Sequence, residues 1–84
     1  MTELERRCRR AAYAVPLEGV GDGIYIENIS AIVRAVLAEA GKALLSDEAV
    51  ADAWSALFDA GGSGNEQGVR AAINAALVKI GATQ

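Results

Sequence analysis

The stretch Leu45–Gly62 constrains the fold of this chain more than any other. It reads LSDEAVADAWSALFDAGG and holds the only tryptophan, Trp54, and the only phenylalanine, Phe58. Ser46 carries the hydroxyl of a helix N-cap, which accepts from a first-turn backbone N–H. Asp47 and Glu48 set negative charge at the positive end of the helix dipole. Leu45 before the cap and Val50 in the first turns have the spacing of a hydrophobic staple. Val50, Ala53, Trp54, Leu57 and Phe58 then recur at the spacing of one helical face. Gly61 supplies the left-handed residue that ends a helix. Glu48, Asp52, Ser55 and Asp59 lie on the other side as an acidic stripe. A helix over 47–60 is expected, with its aromatic face at the centre of the core.

The 84 residues are 52% hydrophobic and 23% charged, the composition of one ordered helical domain over 1–84. Much of the apolar fraction is alanine, and a short chain buries a smaller share of its surface than a long one. Self-association as a homodimer is therefore expected. The net charge of −3 and pI of about 4.8 argue against a general nucleic-acid or membrane-surface binder. The charge is uneven, since Arg6, Arg7, Arg9 and Arg10 are four of the eight basic residues. Cys8 is the only cysteine, so no internal disulfide forms, which fits a reducing cytoplasm. No apolar run approaches a membrane span, and the charged N-terminus does not read as a signal peptide. A cytoplasmic location is expected.

Thr2-Glu3-Leu4-Glu5 fits a capping box, with Thr2 as cap and Glu5 reaching back. Leu4, Cys8, Ala11, Ala12 and Val15 share a face, predicting a helix over 3–14 that Pro16 stops. Gly19-Val20-Gly21-Asp22-Gly23 is turn-rich. Ile24-Tyr25-Ile26 has strand propensity and reads as a short strand over 24–26 or an extended segment laid over the core, with pairing across a homodimer as a further option. Asn28 is the next cap, and Ile29, Ile32, Val33, Val36, Leu37 and Ala40 predict a helix over 29–40 closed by Gly41. After the central helix comes a polar loop from Gly61 to Gly68, in which Ser63 or Asn65 is a candidate cap. Val69, Ile73, Ala76, Leu77 and Ile80 predict a last helix over 66–80 that ends at Gly81. The whole reads as an all-α bundle of four helices with an irregular Gly-rich segment between the first two. The expected core is Leu4, Cys8, Ile29, Ile32, Val33, Val36, Leu37, Val50, Trp54, Leu57, Phe58, Val69, Ile73, Leu77 and Ile80.

Catalytic chemistry has little to work with. Without histidine there is no Ser-His or Cys-His pair, and a lone cysteine makes no Cys-rich zinc site. On an apolar face Cys8 reads as a small buried residue. Gly19–Gly23 has neither the dinucleotide-binding spacing nor the Lys-Ser/Thr ending of a P-loop. Glu18, Asp22 and Glu27 are carboxylates whose spacing matches no calcium loop. No catalytic residue, metal or cofactor is assigned. Two charged surfaces remain. One is the arginine flank Arg6, Arg7 and Arg10, either solvated and partly paired with the acids of the central helix or a contact for an acidic partner or phosphate. The other is Glu48, Asp52 and Asp59, either the wet side of a helix or a docking surface for a basic protein groove.

Several short steps recur in one order: Arg9-Arg10-Ala11-Ala12-Tyr13, Val33-Arg34-Ala35-Val36-Leu37, Trp54-Ser55-Ala56-Leu57 and Ile73-Asn74-Ala75-Ala76-Leu77. In this layout the chain resembles small helical proteins of tailed phages and prophages. It departs from them at Lys42-Ala43-Leu44-Leu45, where they often carry a proline-containing turn. The resemblance implies no catalytic residue. It implies a non-enzymatic accessory protein that binds and inhibits a host protein or defence complex, in the manner of an anti-CRISPR inhibitor. The alternatives are a nucleotide- or small-anion-binding protein built on the arginines and the Gly-rich segment, and a small virion assembly component.

Overall fold

The computed structural model describes residues 2–15, 24–61 and 66–82, with the backbone alone for 24–27 and 66. Four helices follow one another: α1 (Glu3–Ala14), α2 (Ile24–Glu39), α3 (Ser46–Asp59) and α4 (Glu66–Lys79), with a 3-10 turn at Ala43–Leu45 before α3. The all-α, four-helix architecture expected from periodicity is the one observed.

Local chemistry explains most of the helix ends. The Thr2 hydroxyl accepts from the Glu5 N–H at 3.0 Å, as an N-cap does. The Glu5 carboxylate does not complete a capping box. It takes Arg9 instead, at 3.1 Å. Val15 is extended, at φ −65 and ψ 127, as a residue before proline must be. Gly41 and Gly81 both sit at φ +72. After α2, Lys42 N–H donates to Leu37 O at 2.8 Å and Gly41 N–H to Ala38 O at 3.1 Å. After α4, Ala82 N–H donates to Leu77 O at 2.9 Å and Gly81 N–H to Val78 O at 3.1 Å. Both are Schellman endings, which satisfy carbonyls the helix leaves open.

Two starts differ from expectation. Residues 24–26 are the first turn of α2 and not a strand, and Asn28 lies inside the helix, buried, instead of capping it. A lone strand leaves its backbone groups unpaired, whereas extending an existing helix adds a hydrogen bond for each residue ordered. Ser46 is the first helical residue of α3 and not its cap, at φ −57 and ψ −44, with its N–H donating to Ala43 O. The 3-10 turn passes straight into α3 and leaves Leu45 at the cap position without a side-chain bond. Ser63 and Asn65, the candidate caps of α4, lie outside the described residues, as do Pro16 and Gly19–Gly23.

The core corrects the reading of the central helix. α3 buries Ser46, Ala49, Ala53 and Leu57, a line turned away from its aromatics. Val50 and Trp54 flank that line half-buried, and Phe58 is 64% exposed. Alanines on the contact line let a neighbouring backbone approach closely, and the bulky rings are displaced to the edge. α2, with Ile29, Ile32, Val33, Val36 and Leu37 all buried, shares the centre with α4, which also packs against all three other helices. α2 packs against α1, α3 and α4, whereas α1 and α3 do not meet among the described residues. Leu4 and Ile80 pack only partly buried against this core.

The chain contains two helical hairpins built to one plan. Shifting α2 by 40 residues lays Ile29 on Val69, Val33 on Ile73, Val36 on Ala76, Leu37 on Leu77 and Gly41 on Gly81. The overlaid helical residues are buried in both copies, and the two glycines close both helices in the same way. A shift of 41 lays Cys8 on Ala49, Ala12 on Ala53 and Tyr13 on Trp54. α1 with α2, and α3 with α4, therefore form equivalent pairs joined through α2 and α4.

Candidate functional site

The outer face of α3 has two edges. On the α4 side, Lys79 Nζ lies 3.1 Å from Glu48 Oε2 and 3.5 Å from Asp52 Oδ2. The hydrogen bond to Glu48 and the Asp52 charge hold the Lys79 ammonium above its ordinary pKa. On the α2 side, Arg34 pairs with Asp47 at 3.2 Å, yet the Asp47 side chain stays 93% exposed. Phe58 projects from this same edge and stacks at a tilt of 31° on Trp54, with ring centroids 5.9 Å apart. Ala51, Ser55 and Asp59 lie exposed between and beyond these edges.

The expected stripe Glu48, Asp52 and Asp59 is thus real but partly neutralised. Its first two members share Lys79, and Asp59 stands without an ion partner among the described residues. Sequence reasoning missed Lys79, because its bridge is a tertiary contact. It also missed Asp47 and the outward position of Phe58.

The arginine flank does not pair with the acids of α3, because α1 and α3 do not meet. Arg6 pairs with Glu3 at 3.3 Å on its own helix. Arg7 Nε donates to Glu39 Oε1 at 2.9 Å, and that bond raises the Arg7 pKa further above its already high value. Arg9 is structural: it holds Glu5 and donates to Asn74 Oδ1 on α4 at 2.7 Å. Arg10 is exposed and has no ion partner among the described residues. Tyr13 is 56% exposed. Arg6, Arg7, Arg10 and Tyr13 form the outer face of α1.

Cys8 is fully buried, with its thiol 3.6 Å from Val36 O. Burial pushes the thiol pKa up, which keeps the sulfur protonated and poorly nucleophilic. Among the described residues no three cysteine, aspartate or glutamate side chains converge as metal ligands would. No described helix is long and apolar enough to cross a membrane. Glu18 and Asp22 lie outside the described residues, and the Glu27 side chain is not described.

No family model, curated protein or solved structure matches this chain.

Proposed function

We propose that this is a non-enzymatic binding protein whose α3 outer face docks a basic surface of a partner protein. The observation that carries the reading is Phe58, 64% exposed, stacked on Trp54 and followed directly by Asp59, an exposed acid without an ion partner among the described residues. Aromatic side chains, phenylalanine among them, are enriched at protein interfaces, and opposite charge across an interface speeds encounter. The resemblance to small phage proteins makes that partner a host protein or defence complex, inhibited by occlusion as an anti-CRISPR protein does.

The test is capture of partners from a bacterial lysate by the tagged chain, read by mass spectrometry across a salt series. The expected result is one complex at stoichiometric level, weakened by salt and lost in Phe58→Ala/Asp59→Lys with helix content unchanged by circular dichroism. Equal capture by that variant removes the α3 face from the reading.

A further inference from the structure

We propose that the outer face of α3 in one copy of this chain is covered by the outer face of α1 in a second copy, head to tail. The two faces occupy equivalent positions on the two hairpins. They are about 18 and 21 Å long, from 12 and 14 residues at the helical rise. They differ in charge: on α1, Arg6 and Arg7 are paired with Glu3 and Glu39 while Arg10 has no ion partner among the described residues, and on α3, Asp47 is paired with Arg34 and Glu48 and Asp52 share Lys79 while Asp59 has none. Arg6 and Arg10 lie one helical turn apart on α1, as Glu48 and Asp52 do on the α4 edge of α3, where they share Lys79. Each face adds an exposed aromatic, Tyr13 on α1 and Phe58 on α3.

Among the described residues these faces do not touch each other within one copy. Charge then decides the arrangement. Two α1 faces repel, two α3 faces repel, and α1 against α3 attracts. A two-fold dimer makes every contact twice, so α1 of each copy would have to reach α3 of the other at once; the two helices pack on different sides of α2 without touching, and the attractive pairing is instead one α1 face on one α3 face. Such a contact builds rings or open chains. The inference uses the same α3 face as the partner reading but stands on its own observations. Copies and partner compete for that face.

Sedimentation velocity over a concentration series, at low salt and at about 0.5 M salt where exposed charges are screened, tests it. The wild-type chain is expected to grow beyond a dimer at low salt and to return to monomer at high salt. Arg6→Glu/Arg10→Glu and Asp52→Lys/Asp59→Lys should each be monomeric alone, and a mixture of the two should associate again. Circular dichroism confirms the fold. Arg10→Glu alone, at a position without an ion partner among the described residues, provides a mild second variant and should also lose association. A wild-type monomer at every concentration overturns the inference, as does a closed dimer that survives both reversals or a mixture that stays monomeric. A monomeric wild type that still captures a lysate partner leaves the partner reading standing. Self-association without lysate capture leaves only this inference.

Discussion

Arg7 and Glu39 join α1 to α2 through a 2.9 Å bond, and the equivalent positions of the second hairpin, Glu48 and Lys79, join α3 to α4 at 3.1 Å with the signs exchanged. The Arg7–Glu39 bridge sits at the open end of its hairpin, beside the Schellman turn at Gly41. Glu48–Lys79 sits beside the matching turn at Gly81. One hairpin plan is therefore used twice, with its charges inverted.

Reversing one member of the first bridge, Arg7→Glu, places two carboxylates together and should lower the melting temperature. Adding Glu39→Arg gives the first hairpin the charge order of the second and should restore most of the loss. Thermal unfolding of the two single variants and the double variant checks this. A double variant no better than the sum of its parts would show that the bridge contributes nothing.

Leu57 and Phe58 are neighbours with opposite fates. Leu57→Ala removes a fully buried side chain and should cost about 2–5 kcal/mol. Phe58→Ala acts at an exposed position and should cost no more than about 1.5 kcal/mol, the scale of the ring pair with Trp54 that it removes. Urea unfolding measures both. A large loss at Phe58 would contradict its placement outside the core.

Gly41→Ala and Gly81→Ala should each destabilise by about 1–2 kcal/mol, the cost of a side chain in the left-handed region. Nothing lies within 4 Å of a Cβ added at either site, so the cost is one of backbone conformation and not of space. The two sites close different hairpins, and their effects should add. Chemical denaturation of the two single variants and the double variant supplies the numbers.

The Thr2 cap, the Gly41 and Gly81 endings and the apolar stripes of α1, α2 and α4 were legible because their causes are local: a threonine hydroxyl three residues from a backbone donor, a glycine where the chain turns left-handed. The caps expected at Asn28 and Ser46 were not, because each helix starts upstream of them or runs on from a 3-10 turn. The extra turn of α2 at 24–26 was not, since β-branched residues in a short window suit a strand until a helix downstream extends over them. Phe58 was misplaced for a related reason. Periodicity identifies a stripe but not which edge of it faces inward, and the alanines at 49 and 53 decided that by permitting close approach. The partners of Arg7 and Lys79 depend on which helices become neighbours, which spacing along one helix does not reveal. The acidic stripe and the arginine flank were visible as patterns, but their lack of contact follows only from the packing of α1 and α3 on different sides of α2.

Cys8 makes stability fall at alkaline pH. Its folded-state pKa is raised by burial above the ordinary 9.0. The contribution from the protonated thiol is complete below that ordinary value and is lost as pH climbs through the raised folded value. Lys79, whose pKa is also raised, adds a loss above 10.5. Unfolding free energies measured from neutral pH upward should decline earlier in wild type than in Cys8→Ala. Parallel declines would show that the thiol is not held neutral by the fold.

The exchanged signs also bear on how the chain avoids assembling wrongly. Two hairpins of one shape invite a mistake, in which α1 settles on α4 as it should on α2, and α3 on α2 as it should on α4. That mistake would bring Arg7 against Lys79 and Glu48 against Glu39. Both contacts are repulsive, by an amount on the order of 1 kcal/mol each at exposed sites, and α4 offers Ala72 and Ala76 where α2 offers Ile32 and Val36, so the mis-threaded arrangement lies above the native one. Inverting one ion pair between two similar halves removes a competing minimum from the folding landscape, which a chain of two identical hairpins could not do.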